Sequence, residues 1–582
     1  MSARRAGRGR WLMLALAVVL VTGCSTLPTT GAVHTEPGSA SDPGQAPYFA
    51  PPGPIKGADR ESIVRGFLLA TQANPPSTAV ARSFLSEGAR NTWKPTGTMV
   101  YDGATLEPTA YGVRARLSEA HALDQRGAWV GGATPSTVTY PYSLVLDHDE
   151  WRIANPPTAL PVPTPYFSSL YQPYLLYFFD RTGTVLVPSR VYLPIGEQTA
   201  TNLVRGLLAG PGPATAESTV TAFAPRTGLD LSVVVSDDGV AEVPLGPEIQ
   251  RLSPADLYRA VVQLAWTLRQ VPGVTRLRIT VGGAAVPLYN GQTDVSVNVG
   301  SDYDPIAAPG RDILTLTGGK LIRGVGALAK PVGGPFGVTG FALRSVAQSV
   351  SKHEYAAVST NGHRLFVAAD GGSTSAAKVT TVLDGSTDLL RPAFDRFGGL
   401  WALDDTKGGA VVHLITNGHD QVVHVPGISG HRVNAFTVTR DGASLVAGLA
   451  SGPSPTLVVS ALLRSEGGRL LQALAGRQTV VEASDHGPVV DLSQSSATTV
   501  AVLTGSTAGN GQIISVELDG SPGASPATSP DPLPGELVSL AASPDPSLPL
   551  RVVTSDGKLM ELTGADSWIR IASNVTAAAY AQ

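Results

Sequence analysis

Four histidines, His413, His419, His424 and His431, crowd one stretch of the chain, "VVHLITNGHDQVVHVPGISGH", the one place where imidazoles could share a metal ion. If Asn417-Gly418 is a two-residue hairpin loop, Thr416 pairs with His419 and Val411 with His424, which sets His413 and His424 diagonally on one face. No carboxylate or third ligand is fixed nearby, so ordinary strand histidines are expected and no metal is assigned. Alternate carboxylates in "LVLDHDEW" and "GSDYDP" could touch calcium, but loops with so few donors are ordinarily just solvated. Asp395, Asp404 and Asp441 could serve a hydrolase or lyase if they converged on one channel; each stands near a turn, where Asp more often shapes the backbone. G-x-S-x-G, P-loop and H-E-x-x-H patterns are missing, so no catalytic residue, cofactor or enzymatic activity is expected.

The chain's single cysteine is the remaining reactive side chain. Arg4, Arg5, Arg8 and Arg10 precede the apolar run "WLMLALAVVLV", the order of a secretory signal peptide, and that run is too short to span roughly 30 Å of hydrocarbon as an ordinary helix. It ends in Val21-Thr22-Gly23-Cys24, which resembles a bacterial lipobox. There a thiol takes a diacylglyceryl group, and small residues admit the peptidase. Cleavage between Gly23 and Cys24, S-diacylglyceryl and N-acyl groups on Cys24, and a position on the outer face of the cell membrane are the expectations.

Residues 1–23 then form the signal peptide and 24–57 a proline-rich tether, "STLPTTGAVHTEPGSASDPGQAPYFAPPGPIK". Composition agrees with several folded domains beyond it: 582 residues exceed one core, and 64 Gly with 46 Pro point to many turns. With 42 basic and 46 acidic residues, the chain has no basic footprint for nucleic acid.

Domain 58–160 starts with a helix capped by Asp59, burying Ile63, Val64, Phe67 and Leu68, followed by a second helix over "TAVARSFLSEGA" and several strands. Trp93 and Trp151 belong to its core. Domain 165–290 holds strands "YLLYFF" and "TVLVPSRVYLP", a helix "QTATNLVRGLLAG", a hairpin at Ser236-Asp237-Asp238-Gly239, and a helix opened by Ser253-Pro254. Both are α+β.

From 312 to 582 short apolar runs alternate with turns, and five similar segments recur with a period of about 40 to 55 residues, which suits propeller blades better than a sandwich array. "DILTLTGGKLIRG" supplies a sixth blade or closes the ring with "WIRIASNVTAAAY". The fold class is multidomain: two N-terminal α+β domains followed by an all-β propeller.

A lipobox, a helical-then-β region, a two-helix α+β domain with "LSPADLYRAVVQLAWTLRQVPGVTRLRITVGG", and a propeller carrying "RPAFDRFGGLWALDD" together resemble the actinobacterial lipoprotein LpqB family. Its middle domain is similar to the GerMN domain of sporulation and germination proteins. The resemblance implies an envelope lipoprotein that contacts the extracytoplasmic domain of a two-component sensor kinase, MtrB, in cell-wall homeostasis and division. Cell-wall glycan is the alternative partner.

Overall fold

In the computed structural model, which describes residues 48–582 apart from 132–135, 214, 289–290, 307–310, 339–340, 350, 372–377, 451–454, 481–486, 506–508, 522–530, 565 and 582, Asp59 caps the first helix. Its carboxylate accepts from Ser62 N at 2.7 Å, and Arg60–Ala70 follows with Ile63, Val64, Phe67 and Leu68 buried. The next helix differs from expectation. It is split into Ala79–Ser83 and Glu87–Thr92, because the backbone between them is taken by a sheet edge: Ile153 N donates to Phe84 O and Ser86 N to Ile153 O, each at 2.9 Å. Two sheet hydrogen bonds there outweigh one more helical turn.

These helices pack on a seven-stranded sheet whose central strand, Gly112–Leu123, pairs antiparallel with Ser136–Asp147 and Thr98–Tyr101. Leu160–Pro163 adds a parallel strand to Thr98–Tyr101. Trp93 is buried, its indole N–H donating to Pro157 O at 2.7 Å. Trp151 is half-buried and packs on the edge of the same core, with the Arg60 guanidinium 5.0 Å above its ring.

In the second α+β region, Tyr171–Asp180 and Leu186–Pro194 form a long hairpin. Val240–Pro244 and Arg276–Val281 run parallel, joined through the helix Pro254–Leu268. Ser253 caps that helix and Pro254 occupies its first turn, where a missing N–H costs nothing. The helices Thr199–Leu208 and Pro254–Leu268 bury Leu203, Val204, Leu207, Val261, Leu264 and Leu268 against both sheets. Val100, Trp129, Phe167 and Tyr192 form a smaller core shared with the first region.

Among the described residues six blades complete the fold, five of four strands and one of five. Their innermost strands are Leu343–Ser349 (blade 1), Ala393–Phe394 (blade 2), Val433–Val438 (blade 3), Val489–Gln494 (blade 4), Leu537–Ala541 (blade 5) and Val575–Tyr580 (blade 6). Blade 6 is composite: Val575–Tyr580 pairs with Ile313–Thr317, and Lys320–Arg323 and Lys330–Pro331 lie outside them. Of the two expectations for "DILTLTGGKLIRG" both therefore hold in part. The blade is the sixth and it closes the ring, but "WIRIA" within Ser567–Ala572 is the outer strand of blade 5. Neighbouring innermost strands touch all the way round.

Candidate functional site

Each innermost strand carries one residue too many near its start. The register slips between Leu343 and Ser345, Val433 and Ala435, Val489 and Asp491, and Leu537 and Ser539. Blade 6 slips at Thr576, and in blade 2 the pairs Leu389 with Asp404 and Ala393 with Trp401 leave one unmatched residue between them. A bulge re-aims a side chain out of the alternating pattern. Arg344, Arg391, Asn434, Val490, Val538 and Thr576 consequently ring one cavity of about 280 Å³ on the propeller axis.

Arg391 floors that cavity. From blade 2 it donates to Leu540 O of the opposite blade 5 at 2.8 Å, and to Leu492 O of blade 4. It also meets the Asp491 carboxylate at 2.9 Å. Asp491 accepts from Leu492 N at 2.9 Å and Leu540 N at 2.7 Å. Burial pushes its carboxyl above the ordinary range, while Arg391 and the two backbone donors pull it back. A second guanidinium crosses at the far end: Arg440 of blade 3 donates to Ala581 O beside blade 6 at 2.6 Å. Burial draws that guanidinium down to about 10.

Successive strands of a blade alternate in direction, so the turns after the innermost strands share one face. The second α+β region sits on that face, over blades 2 to 4. Arg190 meets Glu517 at 2.6 Å and donates to Thr498 Oγ1 at 2.6 Å. Tyr192 OH donates to Ser521 Oγ at 2.8 Å, and Arg396 to Asp304 O at 3.1 Å. Burial pushes the Glu517 carboxyl up to about 7, against the pull of Arg190. The cavity ringed by bulges opens on the opposite face, where Val538 is 40% exposed.

The acids singled out by sequence do not converge. Asp395 is buried in the turn before Leu400–Thr406, accepting from Gly399 N at 2.8 Å, Trp401 Nε1 at 2.8 Å and Arg464 at 2.7 Å. Asp404 accepts from Thr387 N and Asp388 N. Asp441 accepts from Thr439 Oγ1 and Ala443 N. Each carboxylate is occupied with holding a loop in shape.

Among the histidines, Thr416 does pair with His419, across a turn with φ 51° at Asn417 and 78° at Gly418. His413, however, has its Nδ1 3.0 Å from the Asp420 carboxylate, a partner the sequence pattern did not supply. Among the described residues no group of three or more His, Cys, Asp or Glu is placed to hold a metal. Gly23 and Cys24 lie outside the described residues.

Sequence reasoning passed over the axis residues, although a signal was present. Leu343-Arg344-Ser345, Leu390-Arg391-Pro392, Val433-Asn434-Ala435, Val489-Val490-Asp491, Leu537-Val538-Ser539 and Val575-Thr576-Ala577 form a repeating triplet. Its flanks are apolar, or small and polar, while the middle position varies freely.

Comparison with known proteins covers most of the chain. Residues 53–168 match the model of the lipoprotein LpqB N-terminal domain, 175–287 the Germane model of sporulation and spore germination, and 319–579 the lipoprotein LpqB beta-propeller domain. A lipoprotein LpqB of Cutibacterium acnes is 25% identical over 98% of this chain and 98% of its own length. That of Streptomyces coelicolor is 27% identical over 95% of each. That of Mycolicibacterium smegmatis is 29% identical over 70% of this chain and 72% of its own. Among the described residues no helix is long and apolar enough to cross a membrane.

Proposed function

The chain belongs to the LpqB lipoprotein family, and from that premise we propose that it is an extracytoplasmic lipoprotein that binds and modulates a two-component sensor kinase. The kinase is of the MtrB type, acting in envelope homeostasis and division. Lipid on Cys24 holds the protein to the outer face of the cell membrane. Each buried CH₂ of an acyl chain contributes about 0.8 kcal/mol, so two or three chains suffice for a stable anchor.

One observation carries the choice of binding over catalysis. Asp395, Asp404 and Asp441 are each spent on backbone and side-chain donors of their own loops, so no acid among them stands free beside another to act as general acid or base. What the propeller offers is a rigid ring braced against the second α+β region, with loops on its other face. The family is not a known enzyme family.

The direct test is a pull-down of the kinase's extracytoplasmic domain by the purified lipoprotein, with kinase autophosphorylation followed in membranes with and without it. Retention of the domain and a change in autophosphorylation are expected. Absence of both would refute the partnership.

A further inference from the structure

We propose that the axial cavity on the free face of the propeller binds an uncharged sugar, one pyranose ring deep. This rests on the cavity's own groups and is independent of the kinase partnership.

The rim is divided. Thr576, Arg344, Arg391 and Asn434, from blades 6 to 3 in ring order, make a polar arc; Val490 and Val538, from blades 4 and 5, make an apolar one. Ala435, Ala577 and Val346 extend the apolar lining inward. A ligand that fits presents polar edges on one side and C–H groups on the other, as a pyranose does.

Charge narrows the class. The cavity holds two arginines and two aspartates, and they are already matched: Arg391 with Asp491 at 2.9 Å, and Arg344 with Asp388. Arg391 also donates to Leu540 O and Leu492 O, and Arg344 to Leu389 O. A ligand with a net charge would meet no net countercharge here and would bear an unoffset desolvation cost. An uncharged ligand would not.

The open hydrogen-bonding capacity is of the neutral kind. Asn434 gives its amide N–H to Val489 O at 2.9 Å, leaving its amide oxygen as an acceptor. Thr576 donates to Leu316 O at 3.3 Å and keeps its lone pairs. The Asp388 side chain is 49% exposed with one oxygen on Arg344, so the other can take a ligand hydroxyl. At about 280 Å³ the cavity has the space of roughly nine waters at about 30 Å³ each. That accommodates one sugar ring.

The test is titration calorimetry and saturation-transfer NMR on the full chain in detergent micelles. The probes are glucose and N-acetylglucosamine, the same ring bearing a charge (glucuronate, glucosamine), and a capped alanine dipeptide. Saturable binding of at least one uncharged sugar is expected, at least tenfold tighter than either charged ring and than the dipeptide. Thr576→Val and Val538→Asp should each weaken it about tenfold, while Ile569→Asp, on the outer strand of blade 5, should leave it unchanged. Both positions are on the exposed rim, so neither substitution disturbs the buried core of the ring. Absence of saturable sugar binding, preference for a charged ring or the dipeptide, or indifference to both cavity substitutions would each overturn the proposal. None of these outcomes bears on kinase binding.

Discussion

Replacing Arg190 by Met should loosen the second α+β region from the propeller, and by an amount that depends on pH. Arg190 and Glu517 are nearly enclosed, with side chains 10% and 6% exposed, and Glu517 is pushed up to about 7 from an ordinary value near 4.5. A carboxyl whose folded value is raised contributes stability fully below pH 4.5 and loses it as pH rises through 7. At about 1.4 kcal/mol per unit, the wild-type joint should lose roughly 3 kcal/mol across that window.

With Arg190 gone, Glu517 cannot ionise in place without an uncompensated buried charge. At pH 5 Glu517 is neutral and only hydrogen bonds such as that to Thr498 are lost, about 1 kcal/mol; at pH 8 the variant must keep Glu517 protonated one unit above its wild-type value, which adds about 1.4 kcal/mol for a total of roughly 2.4 kcal/mol. Hydrogen–deuterium exchange of the full chain reads this directly. Peptides covering Leu186–Pro194 and Asn510–Glu517, corrected for intrinsic exchange, should open roughly fiftyfold more often in the variant at pH 8, and about fivefold more at pH 5. Glu517→Gln should flatten the wild-type pH dependence. Equal cost at both pH values, or a pH dependence that survives Glu517→Gln, would refute the reasoning.

Asp395→Asn should destabilise the propeller by about 3–5 kcal/mol, because Arg464 would keep a buried charge without its anion. Calorimetry should show the melting temperature falling by roughly 10 °C; an unchanged melting temperature would return Asp395 to the list of acids free for chemistry. Deleting Val575–Tyr580 should unzip blade 6 from blades 1 and 5, and tryptophan fluorescence and circular dichroism should then lose their cooperative transition. Cys24→Ser should abolish labelling by a clickable palmitate analogue and either release the chain or leave the longer precursor; a mature-sized, membrane-bound variant would place the anchor elsewhere.

Much of the fold was legible because its signals are local. Asp59 and Ser253 carry caps that depend on residues three positions away, and the apolar faces of their helices repeat within a few turns. Asn417-Gly418 sets its own hairpin register, since two positive-φ residues fit only that turn. What was missed depends on distant partners. The second helix breaks at Leu85 because Ile153 arrives from elsewhere in the chain to claim its backbone. Arg391 drew no notice in the sequence, because its meaning rests on carbonyls more than a hundred residues away, across a ring. Asp420 became the partner of His413 only through cross-strand geometry. The bulges were readable as a repeated triplet, but a triplet does not say that six of them face one axis.

The two arginines spanning that axis also determine how the molecule bears load. A ring of six sheets, each leaning only on its neighbours, can ovalise by small slips at every joint. Here blade 2 is strutted to blade 5 and blade 3 to the end of blade 6. Flattening the ring along either diagonal must stretch hydrogen bonds to charged groups, worth about 1.5–3 kcal/mol each. Force applied at one face is thus delivered to the other by a stiff wheel. The axis carries a pair of crossed spokes, so whatever docks on one side is felt on the other as tilt or strain.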